Sequence, residues 1–407
     1  MRIRSITCFI DPGFPLAESE LKLAGEFLQI ARPVFTDAGY EVQSARLASV
    51  PFGWLNKDAK PADLSGLAQQ FEQAAARCGY AYVSLGPALP DHLDSYSSIP
   101  AALSATQNAF FAGSLTTAAG EISLAAIHAS AQVIKQVSAI TPDGFANLRF
   151  AALANVPPGS PFFPAAYHQG GKARFALATE AADLAVEAFS QAKSLQAARK
   201  ALVSAMQVHG RVLAKLARQV ENMSGAQFGG IDFSLAPFPE EERSLGAAME
   251  KLGVPGLGLH GSLAAASFLA DSMDQAKFPR AGFCGLMLPV LEDSILARRG
   301  AEGSLAVTDL MLFSAVCGTG LDTIPLPGDT SVEQLAAVLL DLASLSSRLG
   351  KPLTARLMPI PGKHAGDPTN FDFAYFANSR VMSLRAAPLS HLLAGREHLI
   401  LKPRPHR

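Results

Sequence analysis

Two hydrophobic periods alternate along the chain. Near the start, IRSITCFI is β-branched and apolar, as a strand requires, and AESELKLAGEFLQIARPVFTDAG after it repeats its apolar residues at helical spacing. The pair returns as EVQSARLA with PADLSGLAQQFEQAAARCG, as YAYVSLG with the segment holding SSIPAALSAT, and as NAFFAGSL with SLAAIHASAQVIKQVSAI. A fifth strand, NLRFAALA, follows. The rhythm then breaks at NVPPGSPFFPAAYHQGGK, which is rich in Pro, Gly and aromatics and has no helical period. Parallel neighbours need a crossover, usually a helix, so this seam is expected to join ARFALATE to NLRFAALA as antiparallel or non-adjacent strands.

Beyond the seam, Ala181 to Met223 reads as a long Ala-rich region broken into two helices. Further strands are predicted at GIDFSLAP, FCGLMLPV, LDTIPLP and LTARLMPI, with SVEQLAAVLLDLASLSSRLG as an amphipathic helix before the last. The pattern thus places about five strands on each side of the seam, and alternating elements put helices outside mainly parallel strands. The expected fold is α/β and barrel-like, a single domain over 1–407 with one half at 1–157, the seam at 158–172 and a second half at 173–407.

Composition supports a large interior: 17% of residues are charged and 49% hydrophobic. A formal charge of −1, without long single-sign runs, argues against nucleic acid as a partner. No uninterrupted apolar window is long enough for a membrane span, and the apolar run of MRIRSITCFIDPG is broken too soon for a secretion signal. The expectation is a cytoplasmic protein with a small-molecule ligand; a homo-oligomer is compatible with the sequence. Cys8, Cys78, Cys284 and Cys317 are far apart and are expected to be free thiols, with Cys317 buried.

Candidate chemistry begins with GIDFSLAP. In a strand, Ile231, Phe233 and Leu235 share one face, and Asp232, Ser234 and Ala236 share the other. The small polar face points toward a lumen or crevice in the pocket reading; in the structural reading Asp232 caps a turn or pairs with an arginine. Arg174, Asp322 and Arg356 occupy similar strand positions and, if they converge, could bind a carboxylate or zwitterion or form an internal ion-pair network.

Other candidates lie on turns. His260 and Ser262 belong to the glycine-rich GVPGLGLHGS at the start of a helical segment, where an anion could bind or where the glycines serve ordinary turns; no nucleotide motif is present. His168, in the seam, is a candidate general acid or base, or simply a hydrogen-bonded loop residue. Glu292 and Asp293 follow FCGLMLPV, where they could hold a divalent metal or share a proton, although the favoured reading is that Asp293 caps the next helix. His168, Asp232, His260 and Glu292 could form a mixed N/O metal site but lack the local spacing of a strong one. Lys363 stands on a loop after the last strand, where it could close over an anion.

Taken in order, RSIT, SSIP, YHQG, DFSLAP, GLHGS, PVLED, AVCGTGLD and PGKHAGD resemble the uncharacterised proteins grouped as domain of unknown function family 711. The resemblance spans nearly the whole chain. It implies a fold similar to the pyruvate formate-lyase and anaerobic ribonucleotide reductase barrels, two five-stranded parallel half-barrels meeting antiparallel. It does not imply their radical chemistry, because the tail ANSRVMSLRAAP lacks a glycyl-radical loop resembling RVSGY and no adjacent cysteine pair is present. Positions matching the family include His168, Asp232, Ser234, His260, Glu292, Asp293 and Asp322. The resulting expectation is a non-radical enzyme acting on a small anionic or zwitterionic metabolite. In it His168 or His260 transfers protons with Asp232 and Glu292, while Ser234, Ser262, Asp322, Arg356 and Lys363 bind the substrate. A non-catalytic metabolite-binding or regulatory protein is the alternative.

Overall fold

The computed structural model describes residues 1–55, 64–316 and 319–403. Its strands are β1 (Arg2–Phe9), β2 (Ala45–Ala48), β3 (Tyr82–Ala88), β4 (Ala109–Ser114), β5 (Ile122–Ser123), β6 (Phe150–Ala154), β7 (Arg174–Glu180), β8 (Gln227–Ala236), β9 (Gly320–Pro327), β10 (Leu353–Ile360) and β11 (His398–Leu399). Nine of them form one sheet in the order β8-β7-β1-β2-β3-β4-β6-β10-β9, while β5 and β11 make a separate pair.

Strands β1, β2, β3, β4 and β6 run parallel, as do β7 with β8 and β9 with β10. The two sets meet antiparallel at β1/β7 and β6/β10. The seam therefore joins non-adjacent strands, β6 to β7, without a crossover helix. All nine sheet strands fall on predicted stretches. Ala181 to Met223 contains the helices Ala182–Ser190 and Leu195–Ser224. The predicted SVEQ start is a capping box: Ser331 Oγ accepts the Gln334 N–H at 3.2 Å and Gln334 Oε1 accepts the Ser331 N–H at 2.9 Å.

Two expectations need correction or limitation. FCGLMLPV is not a regular strand: the ladder pairing of residues 280–290 with the sheet is confined to isolated parallel bridges, Ile231 with Arg280 and Pro289 with Asp322. Those bridges reach both edge strands, β8 and β9. Cys317 and residues 61–63, the first three of the predicted helix after β2, lie outside the described residues. Cys8, Cys78 and Cys284 are free thiols.

The sheet has two unlike faces because its strands alternate. Ile6, Leu47, Val83, Phe111, Phe175, Phe233 and Leu357 belong to one buried apolar cluster that continues into the helices. The opposite face carries Thr7, Ser84, Ala112, Ala176, Asp232 and Ser234, all small or polar and all buried. Across that inner face lie the irregular seam and the 282–290 segment.

Candidate functional site

Small polar side chains on the inner face saturate the backbone of the irregular segments. Thr7 Oγ1 donates to the Pro161 carbonyl at 2.8 Å, and Ser84 Oγ donates to that of Ala166 at 2.7 Å. The His168 N–H donates to the Ser49 carbonyl at 2.9 Å. Asp232 and Ser234 do the same for the other segment. Asp232 Oδ2 accepts the Phe283 N–H at 2.7 Å, its Oδ1 accepts the Cys284 N–H at 2.9 Å, and Ser234 Oγ accepts the Gly285 N–H at 3.2 Å. Buried backbone groups need such partners, which explains why the segment forms no ladder. Gly282 is required here: its φ is +64°, and a Cβ would lie 2.1 Å from Asp232 Oδ2. Burial pushes the Asp232 carboxyl up to about 6 against hydrogen bonds from Ser234, Phe283 and Cys284.

Between the inner face, the seam and the loop around Phe373 lies a cavity of about 450 Å³. Arg4, Arg46, Arg149, Arg356, Glu292 and Asp322 line it, with aromatic walls that include Tyr82, Phe110, Phe163 and Tyr375. Exposed Gln107 and Asn108 stand at its rim.

Most of these charges form an alternating chain. Arg243 binds Glu180 at 3.0 Å, Glu180 binds Arg4 at 3.1 Å, and Arg4 binds Glu292 at 2.7 Å. Glu292 then binds Arg356 at 2.7 Å, and Arg356 Nε donates to Asp322. Burial disfavours the Arg356 cation, but Asp322 and Glu292 outweigh it and hold the guanidinium protonated. Burial raises the Asp322 carboxyl against the pull of Arg356.

Register irregularities place this chain. Between Ala355 and Leu357, Arg356 stands opposite both Asp322 and Thr323; between Ile3 and Ser5, Arg4 is the extra residue of β1 against β7. Bulges re-aim side chains in this way. Thr323 has φ +43°, a strained value for a β-branched residue, and its Oγ1 accepts the Leu291 N–H at 3.2 Å.

Two arginines stand outside the chain. Arg149 is held by backbone carbonyls, Thr106 O and Leu103 O, each at 2.8 Å. Arg46 donates through Nε to Ser44 Oγ at 3.0 Å, and its terminal nitrogens have no partner among the described residues. Its guanidinium carbon lies 5.3 Å from the Phe163 ring centroid and 5.9 Å from that of Tyr82. Burial, with the nearby Arg4 charge, lowers its pKa to about 9. A carboxylate against this fork would relieve both penalties.

Of the predicted site residues, Glu292, Asp322 and Arg356 converge on the cavity. The others do not line it. Asp232 and Ser234 hold the 283–285 backbone. His168 is buried at 1% exposure, and burial lowers its pKa against a hydrogen bond with the Gly171 backbone. Its Nε2 has no hydrogen-bond partner among the described residues. His260 is exposed on its turn, and Ser262 Oγ closes that turn by donating to Leu259 O at 2.7 Å and accepting the Gly258 N–H at 3.1 Å. Lys363 follows β10 on an irregular loop, where its carbonyl accepts the Gly328 N–H at 2.9 Å. Asp293 caps the helix Ser294–Glu302, as favoured from sequence, and also accepts from Ser244 Oγ and the Gly246 N–H at the start of helix Leu245–Lys251. The four-residue metal set is not brought together: among the described residues no group of three or more His, Cys, Asp or Glu could hold a metal. Nor, among them, is any helix long and apolar enough to cross a membrane.

Arg4, Arg46, Glu180 and Arg243 were not singled out from sequence. Arg46 had a usable signal, because in EVQSARLA it shares the small-residue face with Ser44 and Ala48. Arg4 had none, since its bulge breaks the alternation.

Residues 1–378 match the family model described as Uncharacterised ACR (DUF711). The chain belongs to this family. It is similar to a UPF0210 protein of Methanopyrus kandleri, 28% identical over 372 residues that cover 86% of this chain and 81% of the relative. A UPF0210 protein of Desulforudis audaxviator is also 28% identical, over 367 residues, with the same coverage of 86% and 81%. One from Pyrobaculum aerophilum is 34% identical over 258 residues, 60% of this chain and 56% of the relative. The family assignment agrees with the ordered motifs from RSIT to PGKHAGD.

Proposed function

We propose that the protein binds a small organic anion, a carboxylate on an apolar or aromatic body, in the cavity beside Arg46. The observation that carries this reading is the open guanidinium fork of Arg46. The other cavity arginines are occupied, Arg4 and Arg356 by carboxylates and Arg149 by carbonyls. The aromatic walls suit a ligand body that buries its faces while its charge meets the fork. Arg356 acts in this reading as a structural member of the ion-pair chain, and Lys363 takes no part.

Turnover remains the second reading, and one observation favours it: Asp322 faces the cavity with its carboxyl raised by burial, a disposition suited to proton exchange with a bound ligand. The histidines do not support that reading, because neither His168 nor His260 lines the cavity. We further read residues 280–290 as the tenth strand of a closed barrel, on the ground of their bridges to β8 and β9. That is the architecture the family resemblance implies.

Native mass spectrometry of protein purified gently from its source tests the binding reading. A stoichiometric small organic acid that is lost in Arg46→Gln supports it. A bare chain whose melting temperature is also indifferent to benzoate and other carboxylates contradicts it.

A further inference from the structure

The inner face of β7 carries Arg174, Ala176, Ala178 and Glu180, by strand alternation. Glu180 belongs to the ion-pair chain beside the cavity already described. Arg174 stands at the opposite end of the strand, about 20 Å away by strand rise, beyond reach of that chain. It has no hydrogen-bond or ion-pair partner among the described residues.

Arg174 lines a second cavity, of about 390 Å³. Arg280 lines it too, but its guanidinium is taken up by the Met273 carbonyl at 2.7 Å, the Ala276 carbonyl at 3.2 Å and Asp274 at 3.5 Å. No carboxylate lines this cavity among the described residues. Asp232 lies behind its Gly282–Cys284 wall, where its oxygens accept the Phe283 and Cys284 N–H groups and the Ser234 hydroxyl. Gly159, Gly229 and Gly282 form part of the lining, so a small ligand can approach main chain without side chains in the way. Phe283 lines both cavities, and its position is set by the hydrogen bond from its N–H to Asp232.

We infer that this second cavity is a binding site for a small oxyanion, held by Arg174, and that Phe283 is the partition between it and the first cavity. The cation here has no counter-charge among the described residues, and between the rings of Phe9, Phe175 and Phe283 the glycines leave main chain open to a ligand. Both features suit a compact anion such as phosphate better than the aromatic acid fitted to the first cavity.

Calorimetric titration of the full chain with inorganic phosphate tests the site. Arg174→Gln should weaken phosphate binding by about tenfold or more, the scale of one charge-assisted fork. Arg46→Gln should leave phosphate binding unchanged. An unaltered urea midpoint for Arg174→Gln shows that the variant is folded. Absence of phosphate binding in the wild type, equal binding in Arg174→Gln, or its loss in Arg46→Gln overturns the inference. Phe283→Ala tests the partition: benzoate and phosphate, independent in the wild type, should compete once the cavities merge, and continued independence contradicts it. Loss of benzoate binding by the wild type, with Arg174-dependent phosphate binding intact, would remove the reading of the first cavity and leave this one standing.

Discussion

Asp232 Oδ2 accepts the Phe283 N–H at 2.7 Å while Oδ1 accepts that of Cys284 at 2.9 Å, so one buried carboxylate replaces a missing stretch of β-ladder. Asp232→Ala should therefore cost about 2–4 kcal/mol, since it strands two buried N–H groups and the Ser234 hydroxyl. Urea unfolding measures this, and a loss below about 1 kcal/mol would contradict the bracing role.

The same residue gives a pH signature. Its folded pKa, about 6, lies above the ordinary aspartate value of 3.8, so the folded state binds the proton more tightly. The resulting stability is fully present below the unfolded pKa and is lost as pH rises through about 6. The stability difference between wild type and Asp232→Asn should thus be largest near pH 4 and shrink by roughly 3 kcal/mol toward pH 7. A difference independent of pH in paired urea titrations would show that the carboxyl titrates normally.

Much of this was legible in the sequence, for a physical reason. Alternation in DFSLAP put Asp232 and Ser234 on the small face, where both lie. What they do there was not legible, because their partners at 283–285 are about 50 residues away in sequence and lie on an irregular segment in which Cys284 has φ +45°. FCGLMLPV has strand composition, but the N–H groups of Phe283, Cys284 and Gly285 are taken by side chains of β8. A meeting of Arg356 with Asp322 was one reading of their strand positions, but the bulge opposite Arg356 and the approach of Glu292 lie beyond period-two reasoning. Asp293 was easier, because helix capping is local.

Glu292 joins Arg4 and Arg356, so Glu292→Ala leaves two buried guanidinium groups without their shared counter-charge. The expected loss is about 3–5 kcal/mol. Chemical denaturation of Glu292→Ala and of the pair Glu292→Ala/Arg4→Met would show coupling: the double variant should be less destabilised than the sum of the single ones. Simple additivity would mean that the chain is not a unit.

Asp293 caps two helices at once, accepting from the Ile295 and Leu296 N–H groups and from Gly246 N–H and Ser244 Oγ. Asp293→Ala should destabilise by about 2–4 kcal/mol, more than a single exposed cap. By contrast His260→Ala, at an exposed turn, should stay within about 0.5 kcal/mol and leave ligand binding unaltered. A ligand-binding defect in His260→Ala, seen by thermal shift, would return that turn to the site.

Titration of wild type and Arg46→Gln with benzoate, at equal protein concentration and neutral pH, tests the central claim most directly. If the open fork of Arg46 is the anion site, wild type binds one benzoate per chain and the variant binds at least about tenfold more weakly while unfolding at the same urea concentration. Equal benzoate affinity in both proteins would contradict the assignment of Arg46 as the anion-binding residue.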